Sequence, residues 1–494
     1  MFNELKNLAK HSFVYMLGSV ASRMVGFVMI PVYTRFLTPA DYGVLELVSL
    51  TIDIIGMFAA LGIHSAITRF YFDYKDQDDR NEVITTALIS TLILASIPTA
   101  ILIYRADFLS NLVFGETQYG YFFQLLLMAN FLNMVVMIPM TVLTIKEKSK
   151  IYVGFGLLRL ALGLSLNIYF VVILEMGVVG ILYSSLIAVA ISTVFLAIVV
   201  LRRFPFRFSL TKAIEMLKFG LPLVIAALGT FVLNFADRYF LEHFSTLRMV
   251  GLYAVGYKFA LGLSELLHRP FNLMWNVFMF KIADREDAKE MYSRVMTYNS
   301  FVVIFLALGM AVLIKDVLRI VVAPDFIEAH KVVPLILAGF YFYYMMPILD
   351  VGIMLSKKTH LRAINVVTAA IVNLALNYFL ISRFSMMGAA AATFLSYSFL
   401  AILTLFVSGR VFKINYEYFR LAKMFVTALL LFAVSRLLVF DSLIISIAAK
   451  TALVLLFPLI LLPLRFYDHK EKRKIGEFFQ WCLSKVRGDS LSAG

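Results

Sequence analysis

The chain has 494 residues, of which 61% are hydrophobic and only 15% charged, and 46 of them are phenylalanine. Soluble domains sit nearer about 45–50% apolar and 25% charged, so a soluble globular chain and a disordered one are both excluded. At roughly 20 apolar residues per bilayer crossing, this composition is that of an all-α, polytopic membrane protein. The formal charge of +14 then points to loops retained by Lys and Arg, with no nucleic-acid partner expected. Cys482 is the single cysteine, which excludes an intramolecular disulfide and a cysteine metal cluster. Neither a metal nor a cofactor is expected.

The N-terminus carries Lys6 and Lys10 ahead of a long apolar run. Ser19-Val20-Ala21 has the look of a cleavage site, yet the run continues past Arg23 to Val32, so a retained first helix is expected. Hydrophobic segments then fall at 12–36, 44–64, 83–103, 121–144, 151–174, 177–200, 215–243, 251–280, 296–314, 331–354, 361–380, 385–409, 420–439 and 441–464, about fourteen transmembrane helices. With the N-terminus placed in the cytoplasm, the inner segments, counted with the helix-end residues Arg362 and Arg420, hold 29 Lys and Arg; the outer loops, counted with the helix-end residues Arg35, Lys331 and Arg436, hold 8, and 8 lie deeper within helices. That bias predicts both termini in the cytoplasm. Beyond 465, Ile475, Phe478, Phe479, Cys482, Leu483 and Val486 recur at helical spacing among bases, which predicts a basic amphipathic helix on the inner leaflet.

An offset of 208 residues superposes the first segment on the seventh and the second on the eighth. Lys10 meets Lys218, Phe36 meets Phe244, Gly43 meets Gly251, Phe72 meets Phe280, Asp76 meets Asp284, Asp79 meets Asp287 and Glu82 meets Glu290. An even number of helices per repeat gives both halves one orientation, related by an axis along the membrane normal. The expected organisation is two pseudo-twofold-related six-helix lobes, 1–208 and 209–413, with an accessory helix pair at 414–464 and a basic tail at 465–494.

A charge at the bilayer centre costs about 2.5–3.5 kcal/mol on insertion scales. Arg23, Arg159, Arg238, Lys258, Arg269 and Lys450 therefore need a polar interior, a water-filled cleft or one another. Lys258, Glu265, Arg269 and Asn272 lie on one face of segment 8, and Glu46, Asp53 and His64 on one face of segment 2. The repeat superposes these two faces, and Arg238 maps onto the face of Arg23. A central cleft lined by segments 1, 2, 7 and 8 is predicted, with bases Arg23, Arg238, Lys258 and Arg269 and deep acids Asp53, Asp237 and Glu265. Guanidinium stays charged and binds phosphate bidentately, so this set suits an anionic head group, particularly a diphosphate. Asp53, His64, Asp237 and Glu265 are candidates for coupling or gating. A purely structural role is the alternative for each of these residues. Asp237 and its neighbour Arg238 point about 100° apart on a helix and need not pair. Arg159 and Lys450 read as packing or lipid-facing snorkel residues.

Residues 19–43 (SVASRMVGFVMIPVYTRFLTPADYG), together with DRYFL at 237–241 and VGLYAVGYK at 250–258, resemble the Wzx-type polysaccharide flippases. These belong to the multidrug/oligosaccharidyl-lipid/polysaccharide (MOP) exporter superfamily. The resemblance implies flipping of undecaprenyl-diphosphate-linked oligosaccharide from the inner to the outer leaflet of the bacterial cytoplasmic membrane. That would serve cell-surface polysaccharides such as lipopolysaccharide O-antigen, with membrane lipids and the polysaccharide polymerase and chain-length machinery as partners. It implies a two-lobed, rocking, non-enzymatic transporter whose diphosphate contacts fall on Arg23, Arg238 and Lys258. Many polysaccharide flippases have twelve helices and related lipid II flippases fourteen, so helices 13 and 14 leave a lipid II substrate open. A drug/cation antiporter of the same superfamily is the other transport reading, disfavoured by four cleft bases against three acids. An enzyme would need a metal-binding acidic motif. Asp76-Gln77-Asp78-Asp79 is the nearest approach, and it precedes a helix where capping accounts for it.

Overall fold

The computed structural model describes residues 27–200, 204–469 and 471–473, apart from the side chains of Ala226, Ser264, Glu265, Leu266, Arg269 and Leu273. Arg23 and the expected amphipathic helix over 475–486 lie outside the described residues. Each of the fourteen predicted segments is largely helical where described, and among the described residues eleven helices are long and apolar enough to cross a membrane. Segments 11 and 12 run as one 53-residue helix broken at Ser385, whose φ of 50° and ψ of −131° leave the helical region.

Contacts within the chain define two compact units. The first comprises Met1–Gly262, Leu318–Gly339 and Thr359–Leu400. It starts with α1 (Ile30–Phe36), α2 (Pro39–Ala60), α3 (Ile63–Asp73), α4 (Gln77–Tyr104), α5 (Ala106–Phe114), α6 (Gly120–Ile145), α7 (Ser149–Asn167) and α8 (Gly177–Val199). It continues through α9 (Leu210–Phe235), α10 (Asp237–Phe244) and the start of α11 (Leu247–Lys281). Thr38 caps α2 in a reciprocal box with Asp41, and Pro39 follows at the first position, where its missing N–H costs nothing. Asp76 caps α4, accepting from the N–H groups of Asp78 (3.0 Å) and Asp79 (3.4 Å). The acidic run is thus a helix start, and its later members take up bases, with Lys212 2.8 Å from Asp79 and 2.6 Å from Glu82.

Helix α4 shows how the solvent is read in the chain. Val83, Ala87 and Thr91 are buried against other helices, while Ile93, Ile97, Ile101 and Tyr104 form an outward stripe at three- and four-residue spacing. In water that stripe would be a defect; against lipid it is the default face. Lipid is as apolar as leucine, so association relies on close packing and on internal polar pairs. Close packing is tightest where α2 and α11 meet. A Cβ at Gly43 would lie 2.2 Å from the carbonyl oxygen of Leu247, and one at Gly251 would lie 1.9 Å from that of Pro39. The 208-residue offset carries Pro39 onto Leu247 and Gly43 onto Gly251, so the contact is reciprocal between positions that the offset pairs.

The second unit comprises Leu263–Val317, Phe340–Lys358 and Ala401–Gly494. It draws on α11, α12 (Ala288–Val321), α13 (Val333–Leu349), α14 (Val351–Leu355) and α15 (Thr359–Val411), and contains α16 (Tyr418–Leu437) and α17 (Leu443–Ile460). Helix α12 extends seven residues beyond the hydropathy estimate, so Asp316 lies inside a helix instead of in the expected outer loop. It is fully buried and meets Lys450 of α17 at 2.5 Å, with Ser446 donating to it at 3.1 Å.

Candidate functional site

The glycine crossing brings two polar faces together. Glu46 sits one turn below Gly43 on α2 and Lys258 two turns below Gly251 on α11, and Lys258 Nζ reaches Glu46 at 2.9 Å. The Tyr42 hydroxyl accepts a hydrogen bond from the same ammonium at 3.1 Å, and its ring lies beneath it at 4.7 Å. Glu46 is the pivot, since Arg238 Nε lies 4.0 Å from its other oxygen. Arg238 donates to Asp237 at 2.6 Å and to the carbonyl of Asn234 at 2.6 Å. This pairing differs from the expectation that the two neighbours point apart, because both side chains bend back toward one buried pocket. The rings of Tyr257 (4.0 Å), Tyr253 (4.9 Å) and Phe235 (5.2 Å) enclose the guanidinium. Tyr253 and Thr393 donate to the second oxygen of Asp237, while Tyr257 and Tyr397 donate to the Asn234 side chain.

Two bases and two acids make this network neutral. Arg238 is 1% exposed, whereas the Lys258 side chain keeps 35% of its surface. A soluble or lipid-borne anion can therefore reach Lys258 only by competing with Glu46, and Arg238 presents no open face in this conformation.

A separate cavity of about 690 Å³, of mixed polar and apolar lining, opens between α2, α6, α7 and α9. Asp53, Asn130, Asn133, Tyr152 and Arg159 line it. Arg159 lines this cavity and donates to Asn133 at 2.7 Å, packing against the neighbouring helix at the cavity wall. An apolar recess of about 320 Å³ adjoins it, shares Gly56, Met57, Met134 and Met137, and is where His64 lies.

Of the residues expected from the sequence, Arg238, Asp237 and Lys258 are brought together, and Asp53 and His64 line the neighbouring cavities. The backbones of Glu265 and Arg269 lie in α11, and their side chains are outside the described set. Glu46 is the member missing from the expected set, although it lies seven residues before Asp53 on the same stripe. Tyr42, Tyr253 and Tyr257 had no signal of their own. Among the described residues no group of three or more His, Cys, Asp or Glu is arranged to hold a metal ion.

The fold is all-α, with many helices long and apolar enough to cross a membrane among the described residues. It is similar to a lipid II flippase, MurJ, in its inward closed conformation (TM-score 0.69, 14% identity, 91% of this chain and 98% of that one). It is also similar to an inward-facing multidrug resistance MATE family transporter of the MOP superfamily (TM-score 0.62, 15% identity, 80% and 97%). Residues 8–272 match the family described as polysaccharide biosynthesis protein, more than half of the chain, and the chain belongs to that family. A curated relative, a protein of the Lsg locus of Haemophilus influenzae, is 22% identical over 356 residues, 68% of this chain and 84% of that protein.

Proposed function

We propose that this protein flips a polyprenyl-diphosphate-linked oligosaccharide, of the undecaprenyl class, from the inner to the outer leaflet of the bacterial cytoplasmic membrane by alternating access. Family membership and fold support transport of a lipid-linked glycan; the observation that carries the mechanism is the partly open Lys258 held by Glu46 across the repeat crossing. A diphosphate competes for that ammonium, and Glu46 then transfers its attraction to Arg238, already 4.0 Å away. Arg238 acts as the buried counter-charge that holds Glu46 and keeps α10 in place. Arg159 and Asn133 supply fixed donors in the separate cavity, where an oligosaccharide hydroxyl or phosphate oxygen finds partners without water. Ligand binding shifts the cycle only through contacts that are tighter in one state. Breaking the Lys258–Glu46 pair in favour of a ligand is such a contact. Inside-negative potential favours outward movement of an anion by roughly 2.3 kcal/mol per charge per 100 mV.

The test is leaflet transfer of a fluorescent polyprenyl-diphosphate oligosaccharide in liposomes containing the full chain. Transfer by wild type that falls at least tenfold in a folded Lys258→Gln variant supports the reading. Transfer of a lipid II analogue in its place would move the substrate to a peptidoglycan precursor. Absence of both, with export of a cationic dye, would replace flipping by antiport.

A further inference from the structure

Far along the chain from this site, a cavity of about 490 Å³ is formed where the first turns of α12 meet the 412–417 connection between α15 and α16. Three bases line it, Lys289, Arg294 and Lys413, with two acids, Glu290 and Glu417. Both acids are already engaged. Glu290 binds Arg294 at 2.8 Å, and Glu417 takes both oxygens to Arg420 at 3.1 Å and accepts from Thr297 at 2.5 Å. Lys289 rests over the Phe412 ring at 4.9 Å, and neither it nor Lys413 has a carboxylate partner among the described residues. Asn415 lines the same cavity, and its backbone carbonyl accepts from Ser293. Two ammonium groups without a carboxylate partner and an asparagine around one concavity suit an anion.

Its place in the membrane narrows the anion. Tyr418 and Phe419 begin α16 immediately beyond the cavity and are 55% and 85% exposed. Exposed aromatic rings at a helix end mark the head-group level, and the Lys and Arg bias of the loops assigns this end to the cytoplasmic leaflet. Basic pockets between helices on that side bind anionic lipid heads.

We propose that this cavity is a binding site for a phosphate ester, supplied by the head group of an anionic phospholipid, with Lys289 and Lys413 on the phosphate and Asn415 as a further donor. The site is independent of the transport reading.

Native mass spectrometry of the full chain in detergent tests it, with phosphatidylglycerol, phosphatidylcholine and inorganic phosphate titrated separately. Phosphatidylglycerol should bind the Lys289→Gln/Lys413→Gln variant at least about fivefold more weakly than wild type, because both bases attract an anionic head group. The Lys289→Arg/Lys413→Arg variant should keep it, and so should Lys75→Gln/Lys150→Gln, which removes exposed bases elsewhere. Displacement of the lipid by millimolar phosphate would retain the anion site and change its source to solution. Equal phosphatidylglycerol binding by wild type and the Gln variant, an equal loss of phosphatidylcholine, or an equal loss in the Lys75/Lys150 control would overturn the proposal.

Discussion

At the scale of single residues, Glu46 and Arg238 illustrate why a buried charge is rarely a free binding group. Each is surrounded by partners that repay its desolvation, and removing one partner leaves the other uncompensated. Glu46→Gln should therefore raise basal exposure of Lys258 to ligand while destabilising the fold. Tighter binding of a soluble polyprenyl-diphosphate analogue, measured by isothermal titration alongside a lower thermal midpoint, is the expected pattern. Lys258→Arg should preserve transfer better than Lys258→Gln, because charge is kept though the geometry changes. A second residue-scale case lies outside the membrane spans. Burial raises the Glu471 carboxyl, but donors from Arg420 (2.8 and 2.9 Å), the Asp468 N–H (2.7 Å) and Tyr298 (2.8 Å) outweigh it and hold it below the ordinary range. A depressed carboxyl stabilises the fold above its unfolded value, about 4.3, and that contribution disappears as pH falls through the lower folded value. The stability gap between wild type and Glu471→Gln, about 1 kcal/mol after allowance for partial exposure, should be present at pH 7 and narrow below about pH 4. Thermal unfolding across that range measures it.

At the scale of elements, the α2–α11 crossing depends on two hydrogens. Gly43→Ala or Gly251→Ala places a methyl group against a carbonyl oxygen of the facing helix. The backbones must separate, which costs about 1–3 kcal/mol and lengthens the Glu46–Lys258 pair. Because both changes strain one contact, the double variant should lose less than the sum of the two. Gly154→Ala is the control, since nothing lies within 4 Å of its added methyl, and it should be neutral or slightly stabilising. The Asp316–Lys450 pair ties α17 to α12. Lys450→Met should cost about 3–5 kcal/mol by stranding a buried carboxylate, and Asp316→Leu/Lys450→Leu should recover most of it. An unfolding series in detergent separates the two outcomes.

At the scale of the whole molecule, the expected topology rests on the distribution of 29 bases predicted inside and 8 predicted outside. In a Cys482→Ser background, a membrane-impermeant maleimide should label Gln118→Cys in intact cells and Lys75→Cys only after permeabilisation. Reversed labelling would invert the chain and place the Lys289–Lys413 cavity on the outer leaflet. The helical segments were legible because lipid forces each crossing to be long, apolar and internally hydrogen-bonded. The crossing glycines were visible as a repeat pair but not as a contact. The stripe Glu46–Asp53–His64 was readable from helical spacing alone, whereas the partners of its members were not. Asp316 was misplaced because hydropathy detects the apolar middle of a helix and stops at its first charge, while α12 runs on to Val321.

By itself, then, the sequence determined the all-α membrane class, the helical segments and the polar stripes, since each follows from local periodicity and the energy of a charge in lipid, and it predicted a 208-residue repeat. Tertiary structure alone decided that Arg238 is caged by Phe235, Tyr253 and Tyr257 and that Glu46 joins it to Lys258. It alone turned Arg159 into a cavity and Lys450 onto Asp316. The physical reason is that a side chain's periodicity fixes the face it occupies, and only the packing of other helices onto that face selects its partner.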